Sequence, residues 1–248
     1  MTGTDGGYAT YGQDVGILVL DTTFARVHGD IGNARTFSAP VSYKLVKAAT
    51  VGEIVGDADR ARLLLPAFID AARALEAEGV RAITTTCGFL TVVQEELARA
   101  VSVPVVTSSL FLYPLVRAMV GDRPIGILTA NRASLSERHL RAAGITPGPD
   151  VLLRGLEDQP GFAGAILRQG ALAGQPLDMT RVTAEVAGTC ATLHREVPDL
   201  GALLFECTNL QPYAEAVQAR TELPIFGIYH LVTLLQSATR TPRFDGHV

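Results

Sequence analysis

Thr84-Thr85-Thr86-Cys87-Gly88-Phe89-Leu90 has a counterpart later in the chain, Leu204-Phe205-Glu206-Cys207-Thr208-Asn209-Leu210. Each closes a strand-like run on a cysteine and continues into a helix-like pattern. The cysteines stand 120 residues apart (207 − 87), and each is followed 17 residues later by a proline, Pro104 or Pro224 (104 − 87 and 224 − 207). Ala82-Ile83 falls on Ala202-Leu203, Glu95 on Glu215, and residues 103–106 on residues 223–226. Self-similarity at a fixed offset implies duplicated architecture. A shorter echo lies upstream, where Gly16-Ile17-Leu18-Val19-Leu20-Asp21 matches Gly126-Ile127-Leu128-Thr129-Ala130-Asn131 at an offset of 110 (126 − 16). The expected fold class is therefore α/β, with two pseudo-symmetric lobes, each a mainly parallel sheet flanked by helices. Ligands of open parallel sheets sit outside the carboxyl ends of the strands, so the expected active site is the cleft between the lobes.

The boundaries read as a flexible tail over residues 1–14, a first lobe over 15–120 and a second over 121–228, with the turn Gly121-Asp122-Arg123-Pro124 at the junction. A chain of 248 residues, 48% apolar and 19% charged, can bury a sizeable core, and no apolar run approaches the roughly 18 residues of a membrane span. A net charge of −4 without a dense Lys/Arg cluster removes the footprint of a nucleic-acid binder. The expected partner is a small molecule, with no nucleic acid and no membrane, and assembly with like copies is left open. Nothing at the N-terminus resembles a secretory signal, and three cysteines do not make a disulfide framework, so the expected setting is cytoplasmic with free thiols. Neither Cys-x-x-Cys nor a His/Cys pair at ligand spacing occurs, which argues against a metal.

Along the chain, residues 15–20 read as a buried parallel strand ending at Asp21-Thr22-Thr23, a position suited to a ligand. Residues 24–43 read as a long loop in which Arg26 or His28 can meet an anion, although solvated side chains are the plainer reading. A strand is expected over 44–50 and a helix over 57–78. Further helices are expected over 90–100, 110–120, 135–143, 180–195 and 212–221, with strands over 80–85, 103–106, 125–129, 151–153, 197–205 and 223–228. Ser134 or Ser136 is placed to cap the helix over 135–143. A terminal helix is expected over 229–239, followed by a frayed end. Cys190 falls inside a helix among Ala187, Ala191 and Leu193 and reads as packing.

A cysteine where a strand meets a helix faces unsatisfied N–H groups and a positive dipole end, which favour thiolate. Cys87 and Cys207 both have this setting. One thiol on each wall of a cleft suits inversion at carbon: one removes a proton and the other returns one from the opposite face. A carbon acid beside a carboxylate is much weaker than a thiol, so donors must stabilise the charge that develops on the carboxylate. The available donors are the backbone N–H groups after each cysteine, at Gly88, Phe89, Thr208 and Asn209, and the hydroxyls of Thr85, Thr86, Thr129 and Thr208.

These residues resemble the cofactor-independent aspartate/glutamate racemase superfamily, which includes hydantoin racemases, maleate cis-trans isomerases and arylmalonate decarboxylases. The resemblance runs from Gly16 to about Ser237. It implies catalysis by Cys87 and Cys207 without a cofactor, and a terminal helix over 229–240 that returns to the first lobe. Cys207-Thr208 is similar to the Cys-Thr of the amino-acid racemases, and Asp21-Thr22 to the acidic-hydroxyl pair that ends the first strand of glutamate racemases. Gly88-Phe89 departs from the Asn-Thr that follows the first cysteine there, and Asn209, where racemases often have His or Glu, is neither acid nor base. Strand alternation points Glu206 away from Cys207, so it reads as a structural carboxylate. The function implied is a racemase or epimerase of a small amino acid or related carboxylate working with two thiols. A maleate-type isomerase, an arylmalonate-type decarboxylase and a non-catalytic ligand-binding protein are the alternatives, and the roles of Arg26, His28, Glu206 and His230 stay open.

Overall fold

The computed structural model describes residues 7–55, 58–244 and 246. Its first sheet holds β1 (Val15–Leu20), β2 (Val41–Val46) and β3 (Ala82–Thr85) in the order β2-β1-β3, all parallel. The second holds β4 (Ile125–Thr129), β5 (Val151–Gly155), β6 (Ala202–Phe205) and β7 (Ile225–Phe226) in the order β5-β4-β6-β7, again parallel. An isolated bridge between Ile83 and Val105 sits in the first sheet where β7 sits in the second. The two sheets thus repeat one strand order, as the duplicated sequence requires. β3, β4 and β6 are buried along their whole length, the pattern of parallel strands covered on both faces.

Among the described residues ten α-helices connect and cover the strands: α1 (Val51–Val55), α2 (Ala58–Leu63), α3 (Leu65–Ala77), α4 (Gln94–Ala100), α5 (Tyr113–Val120), α6 (Glu137–Ala142), α7 (Pro160–Phe162), α8 (Met179–Glu196), α9 (Ala214–Thr221) and α10 (Ile228–Thr239). Several expected helices are shorter than the sequence suggests, and proline explains most of the difference. The helix expected over 57–78 breaks at Leu64, because Pro66 lies in the first turn of α3 and has no N–H for the preceding turn. Asp57 itself lies outside the described residues. Pro114 likewise starts α5, after a 3-10 turn at Ser109–Leu112. Each cysteine is followed by a 3-10 segment, Gly88–Val93 or Thr208–Tyr213, and only then by α4 or α9. The strand expected over 44–50 ends early, at a turn where Ala48 takes a φ of 66°.

Of the expected tail, residues 1–6 lie outside the described residues. Gln13 donates to the Glu78 carbonyl at 3.1 Å, and the Asp14 carbonyl accepts from Arg81 and Ala82 at 2.8 and 3.1 Å. At the other end α10 packs against β1 and β3 of the first sheet. No helix among the described residues is long and apolar enough to cross a membrane.

Helix-to-sheet packing repeats the duplication at a pair of glycines. A Cβ on Gly16 would lie 2.9 Å from Leu75 of α3, and one on Gly126 would lie 2.7 Å from Leu193 of α8 and 2.9 Å from Leu203. Both strands lack a side chain where a helix leucine rests. All three leucines are fully buried, so they have little room to yield. Gly126→Ala is expected to lower unfolding free energy by about 1 to 3 kcal/mol, the usual cost of overfilling a packed core. Urea denaturation reads this directly.

Candidate active site

The C-terminal ends of β1, β3 and β6 deliver side chains to one enclosed cavity. Cys87 and Cys207 both line it, with Thr86, Gly88 and Phe89 beside the first and Thr208 and Asn209 beside the second. Thr22 lines it from the end of β1. Asp21 does not: it is exposed, accepts from the Ala48 N–H at 3.3 Å, and borders an outer depression with Thr23, Thr50 and Arg168. Thr129 is fully buried behind the wall and donates to Glu206 Oε2 at 2.7 Å. Cys190 is sealed in the second core cluster.

The hydroxyls read as substrate donors are engaged within the protein. Thr85 Oγ1 donates to the Thr107 carbonyl at 2.8 Å, Thr86 Oγ1 accepts from the Leu20 N–H at 3.0 Å, and Thr208 Oγ1 donates to the Thr86 carbonyl at 2.8 Å. The last of these ties the two strand-end segments together. Ser109 adds a second tie by donating to the Phe205 carbonyl at 2.6 Å. Backbone N–H groups of Phe89 and Asn209 are directed at the sulfurs of Cys87 and Cys207 respectively.

Two residues of this cavity escape the sequence reading. Arg26, expected to be a solvated loop residue, lines the cavity with its guanidinium fixed on three sides. Nη1 bonds Asp30 Oδ1 at 3.0 Å, Nη2 bonds Thr22 Oγ1 at 2.9 Å, and the group lies 4.3 Å from the centre of the Phe24 ring. Its loop has no periodicity from which such placement is legible. Glu206 also lines the cavity, fully buried, against the expectation that alternation turns it away. The reason is local: the N–H groups of Glu206 and Cys207 share one acceptor, the Leu128 carbonyl, at 2.8 and 3.4 Å, so β6 stops alternating after Phe205. His28 bonds the Arg35 carbonyl at 3.1 Å and His230 lies by Phe226 and Tyr229, both outside the cavity.

Gly88 belongs here because nothing larger fits. A Cβ there would stand 2.1 Å from Glu206 Oε1 and 2.5 Å from the Glu206 carbonyl.

Electrostatics differ from the simple helix-end argument. Burial pushes the Cys87 thiol up to about 12, with the Glu206 charge adding to the rise and the Phe89 N–H and Arg26 opposing it. Burial and Glu206 likewise push Cys207 well above its ordinary value, with the Asn209 N–H opposing the rise and Cys87 and Asp30 adding to it. A six-residue 3-10 segment offers a weaker field than a long helix, and desolvation wins. The two thiols are also unequal. Cys207 Sγ donates to Asn209 Oδ1 at 3.7 Å, while Asn209 Nδ2 donates to Asp30 Oδ2 at 2.7 Å. Asp30 thereby fixes the amide so that its oxygen faces Cys207 and holds that sulfur protonated.

The cavity volume is about 30 Å³, far below the roughly 300 Å³ of an open ligand pocket. Thr22, Phe24, Val51 and Leu167 line both this cavity and the outer depression, of about 330 Å³. They lie between the two. No group of three or more metal-binding side chains occurs among the described residues.

A Durusdinium sp. clade D protein named dimethylsulfoniopropionate lyase is 34% identical over 250 residues, spanning 94% of this chain and 80% of that protein. The chain belongs to the dimethylsulfoniopropionate lyase family. Dimethylsulfoniopropionate lyase 3 of Emiliania huxleyi (strain CCMP1516) is 33% identical over 246 residues, which is 93% of this chain and 61% of that family member. No protein-family model matches the chain. Among solved structures, arylmalonate decarboxylase superposes with a TM-score of 0.59 at 17% identity, covering 90% of this chain and 92% of its own. Allantoin racemase from Pseudomonas fluorescens gives 0.59 at 17% identity over 94% and 99%, and Picrophilus torridus aspartate racemase 0.52 at 16% over 92% and 94%. This chain therefore has the two-lobed α/β fold of those solved structures, as the sequence resemblance implied.

Glu206 gives the site a pH signature. Burial raises its carboxyl to about 7, against the opposing bond from Thr129. A carboxyl whose folded pKa exceeds its ordinary value favours folding below that ordinary value and loses this contribution as pH rises through about 7. The shift corresponds to about 3 kcal/mol at 1.36 kcal/mol per unit. Glu206→Gln is expected to be near neutral at pH 5 and stabilising by about that amount at pH 8, read from denaturation at the two pH values.

Proposed function

We propose that this chain is a lyase that cleaves dimethylsulfoniopropionate, or a close zwitterionic relative, by β-elimination. Membership of the lyase family carries the reading, and the cavity supports it with a fixed guanidinium beside two thiols. Arg26 holds the substrate carboxylate, using the N–H bonds left after those to Asp30 and Thr22. Cys87 acts as the base in its thiolate form. The thiolate takes the proton from the carbon next to the carboxylate, and the freed pair forms the C=C bond as the C–S bond breaks. Dimethyl sulfide leaves with the bonding electrons, acrylate remains on Arg26, and Cys87 ends as a thiol. The positive sulfonium makes the sulfide a good leaving group and draws electron density out of the carbanion, while Arg26 stabilises charge on the carboxylate.

The assignment of Cys87 rests on the inequality of the sulfurs. Each sulfur has one backbone N–H that favours its thiolate, from Phe89 or Asn209, and Arg26 adds to that effect at Cys87, whereas Cys207 is bonded as a donor to the Asn209 side chain. The elimination needs no proton donor, because dimethyl sulfide leaves with its electron pair, so a neutral Cys207 takes no part in the proton transfer.

A two-thiol racemase or epimerase of a small carboxylate is the second reading, favoured by the presence of both cysteines on one cavity. The two share the first step, removal of a proton beside a carboxylate, and part over what the carbanion does next. A thiol-labelling search with alkylating reagent separates both from a non-catalytic binding protein, which has no need of a thiol that ionises when ligand arrives.

Release of dimethyl sulfide, followed by headspace gas chromatography, tests the lyase reading. Cys87→Ser is expected to lower the turnover rate at least about a hundredfold, the usual loss on removing acid-base catalysis. Cys207→Ser is expected to retain turnover within about tenfold of the unmodified chain. Equal and complete loss in both variants, with solvent deuterium entering amino acids or hydantoins in the unmodified chain, favours the racemase reading instead. Because the base must lose its proton, kcat/KM for release is expected to climb with pH through 7 to 9 rather than peak near neutrality.

A further inference from the structure

Arg26 accounts for one end of a zwitterionic substrate, and its own charge is already matched by Asp30 at 3.0 Å. Glu206 is the other ionisable group of opposite sign on the cavity wall, and it is not matched. Its carboxyl is fully buried and its Oε2 accepts from Thr129, but Oε1 has no hydrogen-bond partner. That oxygen lies over Gly88, in the space a Cβ would fill, between the segments carrying the two thiols. A buried carboxyl left in this state costs stability unless something pairs with it. Among the described residues the influences on Glu206 are burial and the Thr129 bond, and neither is a cation. The rings of Phe24 and Phe89 line the same cavity and give methyl groups an apolar and polarisable surface.

We infer that Glu206 is the counter-ion for an onium group, sulfonium or quaternary ammonium, and that the site selects carboxylates carrying that charge two carbons away. The inference deepens the lyase reading, on which it rests for the choice of onium, and it assigns to a residue of this chain a specificity that a plain carboxylate substrate does not need. An onium ion has no N–H or O–H to donate, so it pairs through charge alone, and an oxygen without a directional partner suits it. The titratable groups facing Glu206 are Cys87 and Cys207, whose thiols its charge raises, with Asp30 acting on Cys207 and Arg26 on Cys87. Arrival of the cation keeps Glu206 ionised and offsets its effect on both thiols. The same contact then places the positive leaving group beside the base, so recognition and activation come from one charge.

Two ligands of nearly equal shape separate charge from size: 3-(trimethylammonio)propionate, whose trimethylamine is a much poorer leaving group than dimethyl sulfide and whose release is checked alongside, and its carbon isostere 4,4-dimethylpentanoate. Calorimetric titration of the full chain at pH 8 is expected to give at least about tenfold tighter binding of the ammonium ligand. The preference is expected to shrink as pH falls through about 7, where the carboxyl takes up its proton. Glu206→Gln is expected to bind the two ligands alike, and 4,4-dimethylpentanoate no more weakly than the unmodified chain does. Equal binding of both ligands by the unmodified chain, or a preference that survives in Glu206→Gln, overturns the inference. Should Glu206→Gln not fold, Thr129→Val replaces it: loss of the bond that lowers the Glu206 carboxyl moves the onset of the preference to higher pH, and an unmoved onset overturns the inference. Dimethyl sulfide release by the unmodified chain is measured in parallel. Release without a preference sinks the onium contact and leaves the lyase reading standing, and a preference without release does the reverse.

Discussion

One carboxylate holds the cavity wall in register. Asp30 is almost wholly buried and takes Arg26 Nη1 and the Gly32 N–H on one oxygen, at 3.0 and 2.7 Å, and Asn209 Nδ2 on the other at 2.7 Å. Its backbone carbonyl accepts from Thr36 at 2.7 Å. These donors satisfy both of its oxygens, and two of the bonds fix side chains of the cavity. Arg26 is turned to the cavity, and Asn209 is turned so that its oxygen meets Cys207. The long loop over residues 24–43, which has no helix or strand period of its own before β2, is ordered by this carboxylate rather than by local propensity. Removing Asp30 would leave Arg26 and Asn209 each without its fixing partner, so the loss would reach both walls of the site together.

Much of the architecture is written in the chain because duplication writes it twice. Two glycines in matched strands, two cysteines in matched strand ends and two prolines in matched positions each exclude alternatives that a single copy would permit. The strand order in both sheets and the arrival of both sulfurs at one cavity follow from that pattern. What the pattern does not carry is anything that depends on one residue's turn of backbone. Glu206 reaches the cavity because two successive N–H groups share the Leu128 carbonyl, a detail that a period-two argument has no means to express. Arg26 reaches it because a partner fixes its direction, and that partner lies four residues along an irregular loop. The helix-dipole argument for acidic thiols met a larger opposing effect, burial, whose size is invisible until the cavity is closed.

The superfamily fold and the lyase family meet at a shared chemical demand. Racemisation and β-elimination alike begin with a weak carbon acid, and both need a base held away from water beside a neutralised carboxylate. In this chain the fold brings two strand-end thiols to one cavity. Individual side chains then decide the fate of the carbanion. A site that offers a proton from the opposite face inverts the centre, whereas one that seats a good leaving group beside the base lets the neighbouring bond break. Asn209 and Glu206, neither of which is a thiol, are the residues that distinguish this chain's cavity from a symmetric pair of bases.

The contact between Asp30 and Asn209 spans 179 residues of sequence. During synthesis at about 5 to 20 residues per second, the loop that carries Asp30 therefore waits roughly ten to thirty-five seconds for its partner to leave the ribosome. Until then Arg26 lacks its final setting and Cys87 has no opposite wall, although the first sheet can already pair its own strands. α10, the last helix, closes over β1 and β3 after that. Assembly of the reactive centre is thus among the final events of folding, and the nascent first half exposes a single thiol whose protection against oxidation has to come from the surrounding medium rather than from the protein.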